Sequence, residues 1–201
     1  MRIYKNRTNC RLCNKKNLKK ILKFKDIPIS DQYFQKKKSS NQVRVPLTVS
    51  FCKNCKNVQI NEVINPKLLW KNYTYLSGQT NEIREHFKEF SKNTKKKINI
   101  EKKDIILDIG SNDGSLLAEF KKIGLENIIG VDPSNNIVKI ANKKNIKTYH
   151  SFFNNKFVNK LLKKKIRPKI ITAFNVFAHS DLMIDFVRSI KKLLKRDGYF
   201  I

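Results

Sequence analysis

Acidic residues are scarce in this chain: Asp and Glu number 16 against 44 Lys and Arg, giving a formal net charge of +28. Lysine supplies most of the excess. It is spread through every segment together with Asn and Ile rather than gathered beside aromatic side chains, so it reads as solvated faces and not as the concentrated footprint of a phosphate-backbone reader. No specific nucleic-acid partner is expected, and an acidic small molecule would suit the charge. Long apolar runs are also missing: none approaches the roughly 18 residues a membrane span needs, and the opening MRIYKNRTNC has no apolar h-region. A soluble, cytoplasmic protein with no membrane partner is therefore expected. Glycine is sparse, at 6 of 201 residues, so each placement is informative. No internal repeat is present.

Cysteine is absent after residue 55, yet the four that occur form two pairs, Cys10-Arg-Leu-Cys13 and Cys52-Lys-Asn-Cys55. A C-x2-C knuckle brings two sulfurs to one metal, and two knuckles complete a closed tetrahedral thiolate site, so Cys10, Cys13, Cys52 and Cys55 are read as ligands of one zinc ion. Four thiolates leave no open position, which makes the metal structural. Disulfides are disfavoured in the cytosol. Arg11, Lys15, Lys53 and Lys56 flank the knuckles and would offset the negative charge of a zinc tetrathiolate.

Residues 1–75 are otherwise short and irregular, with a Lys36-Lys37-Lys38-Ser39-Ser40 loop and an alternating stretch from Val43 to Phe51, so the metal must help this module fold. Residues 76–103 hold a linker helix over Asn81–Lys97, with Ile83, Phe87 and Phe90 on one stripe, Glu82 and Glu85 in the first turn and Lys95 to Lys97 in the last. From residue 104 onward short apolar runs alternate with amphipathic stretches, the pattern of βαβ units on a parallel sheet. Strands are predicted at Ile105–Ile109, Asn127–Val131, Lys147–Tyr149, Ile170–Phe174 and Tyr199–Ile201, and helices at Ser115–Ile123, Asn135–Lys144, Asn154–Lys164 and Ser180–Lys195. The fold class is thus α/β, a Rossmann-like parallel sheet behind a small zinc-binding module.

The first of these strands runs into Asp108-Ile-Gly110-Ser-Asn-Asp113-Gly114-Ser, a buried strand, a glycine turn and a helix start. A ligand can lie against such a turn because Gly110 has no side chain and the helix N-terminus offers free amides. It is neither a G-x-G-x-x-G fingerprint nor a G-x-x-x-x-G-K-[ST] loop, which disfavours diphosphate cradling. The second strand ends Gly130-Val-Asp132-Pro133, placing a carboxylate where ribose hydroxyls are bound in related folds.

Asp108-Ile-Gly110-Ser-Asn-Asp113-Gly114 followed by Gly130-Val-Asp132-Pro-Ser134 resembles motifs I and II of class I S-adenosylmethionine-dependent methyltransferases. With the knuckles, Pro46-Leu47, Val58-Gln59, Tyr73-Thr-Tyr75-Leu-Ser77-Gly78, His86-Phe87 and Asn175-Val-Phe177-Ala-His179, the ordered set resembles the sugar C-methyltransferases that act on nucleotide-linked deoxy-keto sugars. The resemblance implies that Gly110, Ser111, Asn112 and Gly114 pack around the methionine part of S-adenosylmethionine, with Asp108 also among the cofactor-binding residues. It implies that Asp132 and Pro133 hold the ribose, and that Phe152 and Phe153 flank the adenine. Asn175, Val176 and Phe177 would line the transfer site, and Tyr75, Ser77 and Gly78 would close over the cofactor. His179 and Tyr75 are the catalytic candidates, with His179 placed to take a proton from carbon beside a sugar ketone.

Phe152 and Phe153 as plain core, Asp132 as a helix cap, and His179 as a local positioning residue are the competing readings. A zinc-ribbon RNA-binding protein, an RNA methyltransferase and a cofactor-binding fragment without turnover are the competing functions. Enzymes acting on exocyclic base nitrogens resemble one another in an [ND]-P-P-[YF] turn where this chain has Asn175-Val-Phe-Ala-His179. The chain stops at Tyr199-Phe200-Ile201, inside the fifth predicted strand, whereas the class continues for two more; a C-terminally truncated sequence is expected.

Overall fold

The computed structural model of the chain describes residues 2–30, 42–70 and 73–201. They form two compact units, one of Met1–Tyr73 with Asp181–Met183 and one of Thr74–Ser180 with Ile184–Ile201. The predicted Lys36–Ser40 loop lies outside the described residues.

In the first unit β1 (Tyr4–Asn6) pairs antiparallel with β5 (Glu62–Ile64), while β2 (Leu18–Pro28), β3 (Arg44–Cys52) and β4 (Val58–Ile60) form a second antiparallel sheet in that order. A short helix, α1 (Pro66–Leu69), follows, its first turn capped by the Asn65 side chain accepting from the Lys67 N–H. The alternation from Val43 to Phe51 does produce a strand, but its phase is reversed. Thr48, Ser50 and Cys52 are buried, whereas Val49 and Phe51 stay half-exposed. The buried phase is polar because it carries a hydrogen-bond network. Glu62 Oε2 accepts the Thr48 N–H at 2.7 Å, and Asn61 Nδ2 donates to Ser50 Oγ at 2.9 Å. These bonds offset most of the usual cost of polar burial, with Asn61 Oδ1 left buried and without a partner.

The second unit begins with a 3-10 turn at Ser77–Gln79 and α2 (Asn81–Ile98). Phe87 and Phe90 of α2 pack toward Phe120 and Phe174, and a left-handed Asn99 ends the helix. Then follow β6 (Ile106–Ile109), α3 (Ser115–Lys122), β7 (Ile128–Asp132), α4 (Asn135–Lys143), β8 (Thr148–His150), α5 (Asn155–Lys163), β9 (Ile170–Thr172), α6 (Met183–Leu193) and β10 (Tyr199–Phe200). The five strands form one all-parallel sheet in the order β10-β9-β6-β7-β8. Every residue of β6, β7 and β9 is buried, as a sheet covered on both faces requires. One apolar cluster includes Leu107, Val131, Leu161, Ile171 and Leu193; the other includes Ile106, Leu117, Phe120, Leu125 and Ile170. Successive strand residues therefore feed opposite faces.

The chain order reverses between β6 and β9, its first and fourth strands, so their carboxyl ends open a crevice at a topological switch point. β9 stops at Thr172 rather than at the predicted Phe174. Asn175 is left-handed (φ 54°) and the backbone turns back through a bond from the Val176 N–H to the Ala173 carbonyl. α6 likewise begins at Met183, three residues after the predicted Ser180, because Phe177–His179 forms a 3-10 turn first.

Candidate functional site

The two knuckles are built on the same four-atom logic. The Asn14 N–H donates to the Cys10 carbonyl and the Lys56 N–H to the Cys52 carbonyl, while the Cys10 and Cys52 N–H groups donate to Lys15 and Asn57. The residue after each second cysteine, Asn14 or Lys56, is left-handed, with φ of 59° and 64°. That turn aims both thiols of a knuckle the same way. Cys10 Sγ lies 3.5 Å from Cys55 Sγ and Cys13 Sγ 3.6 Å from Cys52 Sγ, and all four sulfurs fall within 4.8 Å of one another. Tetrahedral zinc with bonds of about 2.3 Å spaces its sulfurs about 3.8 Å apart, so the four ligands fit one zinc ion. Asn57 Nδ2 faces Cys10 Sγ at 3.9 Å. Arg11 is not spent on the sulfurs, as the sequence suggested: its guanidinium donates to the Ile60 carbonyl and to Asp181, which Arg7 also holds at 2.6 Å.

In the second unit the predicted cofactor residues gather at the carboxyl ends of β6, β7 and β9. Gly110 is left-handed (φ +66°), and a Cβ there would collide with Val176 Cγ2. Glycine is thus required by its conformation and by the close approach of the loop after β9. Asp132, at the end of β7, is 6% exposed; its Oδ2 accepts the Asn112 N–H at 3.1 Å and its Oδ1 the Ser134 N–H at 2.8 Å. Burial raises its pKa, against the lowering effect of those amides. Ser134 and not Asp132 is the N-cap of α4, so the carboxylate closes the turn before the helix, and each oxygen retains acceptor capacity for a ribose.

Asp108 lies one residue from the end of β6, with Oδ1 accepting from Thr172 Oγ1 of β9 at 2.6 Å. Burial pushes its carboxyl up to about 7, the Thr172 bond pulls the other way, and the nearby Asp132 adds to the rise. A buried acid poised this way gains from a cationic ligand. Nothing local to residue 172 marks Thr172 as part of the site; the register of β9 beside β6 reveals it.

Asn112 has a role that its string did not disclose. Its Oδ1 accepts the N–H groups of Ser77 (3.0 Å) and Asp113 (2.8 Å), and its Nδ2 donates to the Tyr75 carbonyl (3.0 Å). The Tyr75–Gln79 strap is thereby laced to the glycine turn. A Cβ on Gly78 would meet Ser115 Oγ and Asp113 Oδ2, so the strap lies directly against the start of α3. Asp113, 2% exposed, accepts from Ser115 Oγ and pairs with Lys144 at 2.7 Å; neither Asp113 nor Lys144 was singled out in the sequence.

The remaining predicted residues divide. Ser111 turns its hydroxyl toward Gly130, buried and without a partner. Gly114 caps α3 in a left-handed conformation. The Pro133 carbonyl lies 2.9 Å from His150 Nε2. Phe153 packs on Phe157 and Phe186, which favours its core reading, while Phe152 is 38% exposed on the adjoining loop. Phe177 also rests on Phe186. Asn175 and His179 are exposed on the turn after β9, and Tyr75 is 45% exposed on the strap.

The donor set fits S-adenosylmethionine: Asp132 offers acceptors for a ribose diol, Asp108 a buried carboxyl for an ammonium or sulfonium, and the strap a cover. Residues 75–201 match a family model described as "Methyltransferase domain", and residues 10–70 one described as "Putative zinc binding domain". The chain is 23% identical over 192 residues to the C-methyltransferase NovU of Streptomyces niveus, covering 95% of this chain and 46% of that protein, so it spans about half the length of the curated relative it matches. Among solved structures, the plantazolicin methyltransferase BpumL, in complex with a pentazolic desmethylPZN analog and SAH, gives a TM-score of 0.49 at 18% identity over 61% of this chain and 47% of its own. An S-adenosylmethionine-dependent methyltransferase from Clostridium acetobutylicum gives 0.47 at 17% identity, over 58% and 48%. No described helix is long and apolar enough to cross a membrane. With more than half of its residues matched by the methyltransferase-domain model, running from the strap through both acidic strand ends, the chain belongs to the methyltransferase-domain family.

Proposed function

We propose that the chain carries the cofactor-binding part of an S-adenosylmethionine-dependent methyltransferase that forms a carbon–methyl bond on a nucleotide-linked deoxy-keto sugar. The observation that carries the cofactor half of this reading is the 3.1 Å bond between the Asn112 N–H and Asp132 Oδ2, which joins the glycine turn and the acidic strand end into one cradle. The ordered motifs and the C-methyltransferase relative support the acceptor half.

S-adenosylmethionine, when bound, supplies an electrophilic methyl group. The protein supplies position and proton transfer. Asp132 would hold the ribose, Asp108 would provide charge at the carboxyl end of β6, and the Tyr75–Gly78 strap would exclude water over the turn. Asn175, Val176 and Phe177 line the acceptor side. His179, exposed on the turn after β9, takes the proton from the carbon beside the ketone, and Tyr75 steadies the oxygen of the resulting enolate. The knuckle cysteines would hold a structural zinc, with every coordination position filled by sulfur and none open to a substrate.

The test is methyl transfer from isotopically labelled S-adenosylmethionine to a nucleotide-linked 4-keto-deoxy sugar, read by NMR. A new carbon-bound methyl, lost in His179→Ala with cofactor binding retained, supports the reading. Transfer to oxygen, to nitrogen or to RNA instead would replace the acceptor class while leaving the cofactor assignment in place.

A further inference from the structure

The reversed phase of β3 leaves a surface that the methyl-transfer site does not use. In the β2-β3-β4 sheet the register sets Leu22 opposite Val49 and Val49 opposite Ile60, Phe24 beside Leu47, and Phe51 opposite Val58. Side chains on one face of a strand recur every second residue, and directly paired residues share a face. Leu22, Phe24, Val49, Phe51, Val58 and Ile60 therefore lie together on a single face, one that spans all three strands. Leu22 is 55% exposed, Phe24 50%, Val58 57% and Ile60 44%. The opposite face carries the polar groups, with Thr48, Ser50 and Gln59 all buried. An antiparallel sheet ordinarily turns its apolar face inward and its polar face to water. This one does the reverse, and a contiguous exposed apolar patch marks an interaction surface.

The charges around the patch identify what fits it. Residues 18–28 and 42–60 include Lys19, Lys20, Lys23, Lys25, Arg44, Lys53 and Lys56 and a single acid, Asp26. Lys56 Nζ stands 5.8 Å from the centre of the Phe51 ring, at the margin of the apolar face. A second copy of the chain would set one cationic rim against another, and like charges across an interface are unfavourable. The patch has no Trp or Tyr, the residues that anchor proteins at a bilayer interface. Three strands about 4.8 Å apart make a face roughly 10 Å wide, the width of one helix. We propose that this face of the zinc-binding unit is a docking site for a partner protein, which presents an amphipathic helix with an apolar stripe and acidic flanks.

The test uses the whole zinc-loaded chain and a synthetic amphipathic peptide of about 14 residues, Leu along one stripe and Glu on both flanks, with a Lys-flanked counterpart as control. Fluorescence anisotropy should detect binding of the Glu peptide at low salt, weakening severalfold between about 0.05 and 0.2 M salt as the rim is screened. The Lys peptide should not bind. Leu22→Ser with Ile60→Ser should reduce Glu-peptide affinity at least tenfold while the melting curve and S-adenosylmethionine affinity stay unchanged, because both side chains face solvent. Lys96→Ala, an exposed charge on α2 outside this sheet, should have little effect. Equal binding of both peptides, or no loss in the double variant, would overturn the proposal. So would binding transferred instead to phosphatidylserine vesicles, or concentration-dependent dimerisation that the double variant abolishes.

Discussion

Replacing Asp108 by Asn separates the cost of this buried acid from its use. Asn keeps the shape and can still accept the Thr172 hydroxyl that Asp108 Oδ1 receives at 2.6 Å, but it carries no charge. The folded-state pKa of Asp108 stands at about 7, raised by burial, against about 3.9 for an unperturbed Asp. Between those values the folded protein keeps a proton that the unfolded chain releases, so the Asp108 contribution to stability falls as pH rises from about 4 to 7 and is flat above. At roughly 1.4 kcal/mol per pH unit the accumulated cost approaches about 4 kcal/mol at pH 8, an upper bound because the buried group can relax. Thermal unfolding should then show Asp108→Asn and wild type melting together near pH 4.5. At pH 8 the variant should be higher by up to on the order of 10 °C, at about 2 to 4 °C per kcal/mol for a chain of this size. The same variant should bind S-adenosylmethionine at least tenfold more weakly at pH 8, since the ionised form is the one a ligand cation rewards. A variant-to-wild-type difference that stays constant from pH 4.5 to 8 would refute the buried-acid reasoning. Added stability without any loss of affinity would leave Asp108 a cost with no function.

Purified protein should hold about one zinc per chain, and a strong chelator or Cys13→Ser should unfold residues 2–30 and 42–70 while leaving the parallel sheet intact by hydrogen exchange; freely titrating thiols in a folded module would contradict this. Asn112→Ala removes the side-chain bonds to Ser77, Asp113 and Tyr75, each worth about 1 kcal/mol net. It should release the strap to proteolysis near residue 76 and raise the dissociation rate of S-adenosylmethionine; cleavage and dissociation unchanged from wild type would contradict the lacing.

The parts of the site that are local in sequence were legible there. The two C-x2-C pairs, the glycine turn at Gly110 and the acidic end at Asp132 are each set by a few adjacent residues; the four cysteines meet in one cluster and, within the second unit, the glycine turn meets Asp132. What escaped depends on pairings between distant segments. Thr172 meets Asp108 only because β9 lies beside β6, and Asn112 meets Tyr75 and Ser77 only because the strap folds back across the turn. The alternation of Val43 to Phe51 announced a strand, but alternation does not say which face is covered. Here Glu62 and Asn61 supply partners that make the polar face the buried one. Phe153 could serve a base or a core by composition alone, and its packing on Phe186 turns on where α6 lies.

The central claim is that Asp132 and the glycine turn form an S-adenosylmethionine site, and calorimetric titration of the zinc-loaded chain with that ligand tests it most directly. One molecule should bind per chain, and Asp132→Ala should weaken binding at least tenfold, as two ribose hydrogen bonds of roughly 1 kcal/mol each are lost. Equal affinity in wild type and variant, or preference for a nicotinamide dinucleotide, would contradict the account.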